Sequence, residues 1–241
     1  DIMKTGNNAV MGDSWGLETP LWFAPEGTEA IDIPSFHRSN DFEHIGNEVR
    51  ATRESVGVTE ISNFAKYEVS GAGARDWLNH LMTNTMPRQG RIVLTRMLSD
   101  NGKIIGDFTI GNLSTARRER YMIWGSIAAQ RYHMRWFEQH LPDDGSVSIK
   151  ALGMRLVGLS IAGPKARDVL EKLTPEDVSA KAFPFMAFRE MDLAPVPAQV
   201  GRITYTGDLG YEHWGAPEHA RRPAEQLIEA GKETASVNLG L

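Results

Sequence analysis

The sequence predicts an α+β fold in two similar halves behind an extended N-terminal arm. Two observations predict it. Strand-like runs and amphipathic helices are joined through hairpin signals rather than alternating strictly as βαβ units, which favours α+β over a doubly wound sheet. A strand–Gly–helix segment then recurs with its residue types kept. At 241 residues with 41% apolar content, the chain is long enough to bury a sizeable core.

Residues 1–40 are rich in Gly, Pro and Trp, and Gly12–Pro25 shows no sustained period. Such a stretch reads as an extended arm anchored by its aromatics, because Pro and Gly break regular elements. Ser39 or Asn40 is a capping residue for a helix over Asp41–Val56, stopped by Gly57. Ala65–Gly71 alternates as a strand, and Ala72–Met82 carries Trp77, Leu78 and Leu81 at helical spacing. Strands follow over Arg91–Leu98, Lys103–Leu113 and Arg120–Gly125. Asp100-Asn101-Gly102 between the first two marks a tight hairpin, since Asn-Gly tolerates positive φ. A helix is expected over Ile127–His140. Strand-like runs then occur near Phe185–Met191, Val200–Thr206 and Tyr211–Trp214, and a last helix over Pro217–Ala230 closes on Gly231.

Ser70-Gly71-Ala72-Gly73-Ala74-Arg75-Asp76 resembles Ala162-Gly163-Pro164-Lys165-Ala166-Arg167-Asp168, 92 residues further on. Each copy follows a strand-like run. Either strand–Gly–helix units recur here by chance, or a unit is duplicated; a repeat this long is domain-sized rather than a solenoid period. On the second reading the chain divides into an arm (1–40), a first α+β half (41–150) and a second, truncated half (151–241).

Composition excludes several functions. A net charge of −5 argues against nucleic acid as the main partner, which requires a basic surface. The absence of cysteine removes disulfides, zinc–thiolate sites and thiol nucleophiles. No apolar run reaches the roughly 20 residues of a membrane span. The start Asp1-Ile2-Met3-Lys4 reads as a cut inside a longer polypeptide. Gly71-Ala72-Gly73 has Asp76 where a dinucleotide fingerprint needs a third Gly. The seven histidines fall in no metal-ligand spacing, and no Gly-x-Ser-x-Gly elbow occurs.

Two segments carry chemistry. Asp107 falls mid-strand, where Asp is disfavoured. Strand alternation gives it the face of Ile105 and Thr109, with Ile104, Phe108 and Ile110 opposite. It is either a carboxylate on a solvated face or one poised in a cleft as a base. In Tyr205-Thr206-Gly207-Asp208-Leu209-Gly210-Tyr211-Glu212, two glycines make a tight turn flanked by Tyr205 and Glu212. It is either a surface β-turn or a heterocycle site. In the latter, Glu212 accepts two adjacent N–H donors of a 2-amino-4-oxo-pterin edge and Tyr205 stacks on the ring.

Taken with the arm Gly12–Pro25, the segments Ser35–Asn40 and Val56–Ser62, and Gly90–Thr95 running on to Asp107, these residues resemble the aminomethyltransferase family of the glycine cleavage T-protein. The resemblance is greatest to the folate-binding C-terminal half of dimethylglycine and sarcosine dehydrogenases. It implies two ferredoxin-like sheet-and-helix halves, with the family's C-terminal barrel missing. It implies tetrahydrofolate as one-carbon acceptor, capturing carbon at the formaldehyde level as 5,10-methylenetetrahydrofolate. Asp107 becomes the catalytic carboxylate, while Glu212, Tyr205, Leu94 and Ser126 line the folate pocket, a cavity between the two halves. Leu94 stands where simple T-proteins often have Tyr, and Ser126 near where they have a folate-contacting Asn. FAD belongs to an oxidase domain, in cis or on another chain, because no FAD fingerprint occurs here. The implied location is mitochondrial matrix or bacterial cytoplasm, with no membrane or nucleic-acid partner. Two other functions share the pattern: a folate-dependent demethylase acting on a sulfonium or aryl ether, and a non-catalytic folate-fold scaffold.

Overall fold

A computed structural model describes residues 2–232 and 237–240. In chain order the elements begin with α1 (Ile2–Asn7), β1 (Ala9–Ser14), β2 (Leu17–Phe23), α2 (Phe42–Glu54) and β3 (Gly57–Glu60). Then come β4 (Ala65–Ser70), α3 (Ala74–Leu81), β5 (Ile92–Leu98), β6 (Ile104–Asn112), β7 (Arg120–Gly125), α4 (Gln130–Gln139) and β8 (Ser148–Ala151). The chain continues with β9 (Val157–Ala162), α5 (Ala166–Glu171), β10 (Phe188–Leu193), β11 (Val196–Gly201), β12 (Gly210–Gly215), α6 (Arg221–Lys232) and β13 (Val237–Leu239). Two compact units result: Asp1–Asn63 with Val157–Phe185 and Met191–Leu241, and Phe64–Leu156 with Met186–Glu190. The fold is mixed α+β.

The second unit holds a five-stranded sheet in the order β5-β6-β7-β4-β8. One face packs against α3 and α4. Tyr67, Phe108, Ile110, Tyr121, Ile123, Trp77, Leu78 and Phe137 fill the interface. The Asn101-Gly102 hairpin forms as expected, with Gly102 at φ +77°. The alternation of β6 departs from a simple strand. Met97 pairs with Gly106 and Leu98 with Ile104, leaving Ile105 as an extra, bulged residue. Ile105 therefore turns into the core at 7% exposure while Ile104 is 62% exposed, the reverse of plain alternation. Asp107 keeps the outer face.

The first unit contains the sheet β10-β11-β12-β9-β3-β13, in which β13 runs parallel to β3. It repeats the topology of the second. The series β9-α5-β10-β11-β12-α6 gives strand order β10-β11-β12-β9, as β4-α3-β5-β6-β7-α4 gives β5-β6-β7-β4. The Gly echo lies at matching corners. Gly71 and Gly163 have φ of +125° and +133°, and a Cβ on either would stand 2.1 Å from the Ser146 carbonyl oxygen or 2.3 Å from that of Ser55. Only glycine fits such a corner. A second echo lies 90 residues apart: Tyr121-Met122-Ile123-Trp124-Gly125 on β7 and Tyr211-Glu212-His213-Trp214-Gly215 on β12.

The N-terminal arm is more regular than its sequence shows. β1 and β2 pair antiparallel around Trp15-Gly16, both at positive φ, as a primed hairpin turn requires. Pro20 and a bulge at Val10/Met11 hide the period. Trp22 anchors the arm, buried and stacked on His44 at 5.0 Å, whereas Trp15 is exposed. Helix α2 buries Glu48 and Thr52 and exposes Phe42, Ile45 and Val49. Glu48 accepts the Phe23 N–H at 2.8 Å and the Gly240 N–H at 3.2 Å, tying β2 and the C-terminal segment to α2. Burial raises its pKa, against those two bonds.

Candidate functional site

The outer face of the five-stranded sheet gathers three of the expected site residues. Asp107 on β6 lies directly opposite Arg96 on β5, and Leu94 lies opposite Thr109 in the next row of that face. The Arg96 Nε and an Asp107 carboxylate oxygen are 4.0 Å apart, with both side chains about two-thirds exposed. Leu94 is exposed. Ser126 follows the end of β7 and opens the helical turn leading to α4, its carbonyl accepting the Ala129 N–H at 3.3 Å. Ser126 stands two residues past Trp124, and Asp107 two residues before its partner Thr109, at the end of the β6–β7 ladder. Leu94, Asp107 and Ser126 thus belong to one end of one sheet, which presents an accessible carboxylate beside a cation, a hydroxyl and an apolar side chain.

The same face is ordered by packing and charge. Trp124 meets the Phe188 ring edge-on at 5.4 Å. Gly111 makes room for Phe188, since a Cβ there would stand 2.4 Å from that ring. Arg120 bridges Glu68 at 2.7 Å and Glu190 at 2.6 Å. Burial is the largest single influence and opposes its charge, but the two carboxylates together outweigh it and hold the guanidinium above its ordinary pKa.

Tyr205 and Glu212 belong to the first unit. β11 ends at Gly201, so Tyr205 lies on the loop before β12 rather than in a strand, 90% exposed. That loop is held by the Thr204 hydroxyl donating to the Asp208 carbonyl at 2.8 Å, with Gly207 at φ +80°. Glu212 is paired with Gly201 of β11 and Ser160 of β9. Desolvation pushes its carboxyl up to about 7, and a hydrogen bond from Trp214 draws it partly back. Trp214 is buried in the space left by Gly158, where a Cβ would meet its ring at 2.4 Å. On the opposite face of β12, His213 is buried and pushed down to about 4 by that burial, so it is neutral at physiological pH. No group of three or more potential metal ligands occurs among the described residues. Nor is any helix there long and apolar enough to cross a membrane.

A family model described as the GCVT N-terminal domain matches residues 3–241. The chain belongs to the GCVT N-terminal domain family. It is an aminomethyltransferase-like domain. It is 34% identical over 231 residues to mitochondrial dimethylglycine dehydrogenase of Homo sapiens, a match covering 95% of this chain and 26% of that protein. To the aminomethyltransferase of Chloroherpeton thalassium it is 30% identical over 217 residues, covering 89% of this chain and 58% of that one. The chain therefore spans well under two thirds of these relatives. The crystal structure of glycine cleavage system aminomethyltransferase T from Bartonella henselae shares the fold. Its TM-score is 0.79 at 20% identity, over 99% of this chain and 57% of that one.

Two further residues of this GCVT domain belong beside those read from the sequence. Arg96 was not legible: Asp100-Asn101-Gly102 is a three-residue turn with Ser99 bonded to Lys103, and Arg96 comes opposite Asp107 only through the Ile105 bulge. Trp214, the donor to Glu212, lies two residues along the same face of β12, and the Tyr-x-x-Trp-Gly echo is its only sequence signal.

Proposed function

We propose that this GCVT domain transfers a one-carbon unit from an N-methyl amine of dimethylglycine or sarcosine type to tetrahydrofolate, yielding 5,10-methylenetetrahydrofolate. Glu212 carries the reading. A desolvated carboxyl with a single indole donor has acceptor capacity left over, and two parallel N–H donors on a pterin edge would satisfy it. Tyr205 supplies an exposed ring for stacking, and Leu94 and Ser126 are assigned to the same ligand.

Asp107 is the reacting carboxylate. When the iminium carbon is taken up, two folate N–H bonds become N–C bonds and the demethylated amine leaves carrying both protons. An accessible carboxylate relays a proton from folate nitrogen to amine nitrogen and stabilises the cation between them. The oxidation that makes the iminium belongs to an FAD-containing oxidase domain, in cis or on another chain. The relative named as a mitochondrial dimethylglycine dehydrogenase supports such a partner, and a setting in the mitochondrial matrix or the bacterial cytoplasm is part of the same reading.

Calorimetric titration of the full-length protein with tetrahydrofolate tests the proposal. Saturable binding is expected, weakened about tenfold or more in Glu212→Gln. Absence of saturable binding by the wild type overturns it. Product analysis showing 5-methyl instead of 5,10-methylene folate would replace it with a demethylase acting on a sulfonium or aryl ether.

A further inference from the structure

Beneath Asp107, the core side of the five-stranded sheet holds a buried polar pair that the proposed chemistry leaves unused. His133 on α4 is 2% exposed, and its Nδ1 lies 3.2 Å from the Tyr67 hydroxyl. That hydroxyl also lies 3.3 Å from the Gln130 carbonyl. Phe108 stands edge-on to the imidazole at 4.7 Å. The other ring nitrogen faces the backbone of β6. A Cβ on Gly106 would stand 2.8 Å from Nε2 and 2.4 Å from the Phe108 ring, and one on Gly125 would stand 2.8 Å from that same ring. The ring also hydrogen-bonds the backbone of Ile105, while burial, the larger effect, keeps it neutral. With the Nε2 proton on the Ile105 carbonyl, Nδ1 is left to accept, and the single Tyr67 hydroxyl proton is shared between the Gln130 carbonyl and Nδ1.

Ile105 is the bulged residue, and Asp107 follows it by two. A bulge re-aims the side chains around it, and losing it slips the register of the following residues by one and sends each of them to the other face. Gly106 and Gly125 carry no side chain, and that leaves room for Phe108 and His133 under the bulge. We propose that His133, oriented by Tyr67 and seated under Gly106, is a positioning residue that locks the Ile105 bulge and thereby holds Asp107 on the outer face of the sheet. The inference rests on the assignment of Asp107 as the reacting carboxylate.

The test uses the full-length protein with His133→Leu, His133→Gln and Tyr67→Phe. His133→Leu is expected to lower kcat for methylenetetrahydrofolate formation about tenfold or more, with the folate KM changed less than about twofold. Gln, which keeps an N–H donor, recovers most of the rate. Amide hydrogen exchange across Ile104–Asp107 quickens in His133→Leu and Tyr67→Phe, while β4 and β7 stay protected. Wild-type exchange of β6 in both variants overturns the lock, and so does unchanged kcat despite loosened exchange. Should His133→Leu fail to fold, Tyr67→Phe, which loses only a hydroxyl, decides alone. If Asp107→Asn turns over like wild type, the catalytic assignment has failed; β6 exchange still decides whether His133 holds the bulge.

Discussion

The Arg167 guanidinium donates to the buried hydroxyl of Tyr211 at 3.2 Å, and Arg75 repeats the contact with Tyr121 at 3.3 Å. In each case the arginine opens the helix after a positive-φ glycine. The tyrosine lies on the antiparallel neighbour of the preceding strand, opposite Ile161 or Val69. Two copies of one corner, down to a side-chain hydrogen bond, favour duplication over chance recurrence. Tyr121→Phe and Tyr211→Phe each remove one such bond without changing ring packing. Each is expected to cost about 1 kcal/mol, read from urea unfolding of the full-length protein. No loss in either variant would make the contact incidental.

The glycine corners predict a larger effect. Gly71→Ala and Gly163→Ala force a Cβ to within about 2 Å of a carbonyl oxygen at a φ that L side chains avoid. Each should destabilise by about 2 kcal/mol or more. Gly102→Ala, also at positive φ but in open space, should cost less, about 1 kcal/mol. Thermal melts of the three variants rank them, and a Gly102 effect equal to the others would refute the steric account.

Much of this was legible in the sequence, for local reasons. The Asn101-Gly102 turn, the helix over Ala74–Leu81 and the Gly71/Gly163 echo follow from single residues with strong backbone preferences. The second echo is faint in the sequence because only Tyr, Trp and Gly persist among its five positions, and its spacing differs by two from the first. The Ile105 bulge was not legible, because bulges are set by pairing register and not by composition. Nor was helix α2. A buried Glu48 with Phe42, Ile45 and Val49 outside inverts the usual pattern, and the cause is two backbone N–H groups brought in from Phe23 and Gly240, far away in sequence. Of the site residues, the placement of Asp107 on an outer face could be read from alternation with Phe108. The desolvation of Glu212 could not, since it depends on Trp214 and on the strands either side.

Glu212 predicts a pH dependence. Its folded pKa, about 7, exceeds the ordinary value of 4.5, so the native state binds the proton more tightly than the unfolded chain does. Its stabilising contribution is complete below about pH 4.5 and is lost as pH rises through 7. Glu212→Gln removes the effect. Relative to the variant, wild type should lose about 1–3 kcal/mol between pH 4.5 and 8, measured by denaturant unfolding at each pH. A constant difference across that range would mean that the carboxyl is well solvated.

Asp107 should separate activity from stability. Its side chain is two-thirds exposed, and its contact with Arg96 at 4.0 Å is a surface pair worth between nothing and about 1 kcal/mol. Asp107→Asn is nearly isosteric and leaves the Ile105 bulge and the core side of β6 untouched. Its unfolding free energy should stay within about 0.5 kcal/mol of wild type. Turnover to 5,10-methylenetetrahydrofolate should nevertheless fall by about 10²- to 10⁴-fold, because an amide cannot relay the proton. Arg96→Gln supplies the contrast. It removes the facing cation but keeps the carboxylate, so it should reduce turnover far less than Asp107→Asn. Equal losses in the two variants would assign the reaction to the ion pair as a unit, and full activity in Asp107→Asn would remove the carboxylate from the mechanism.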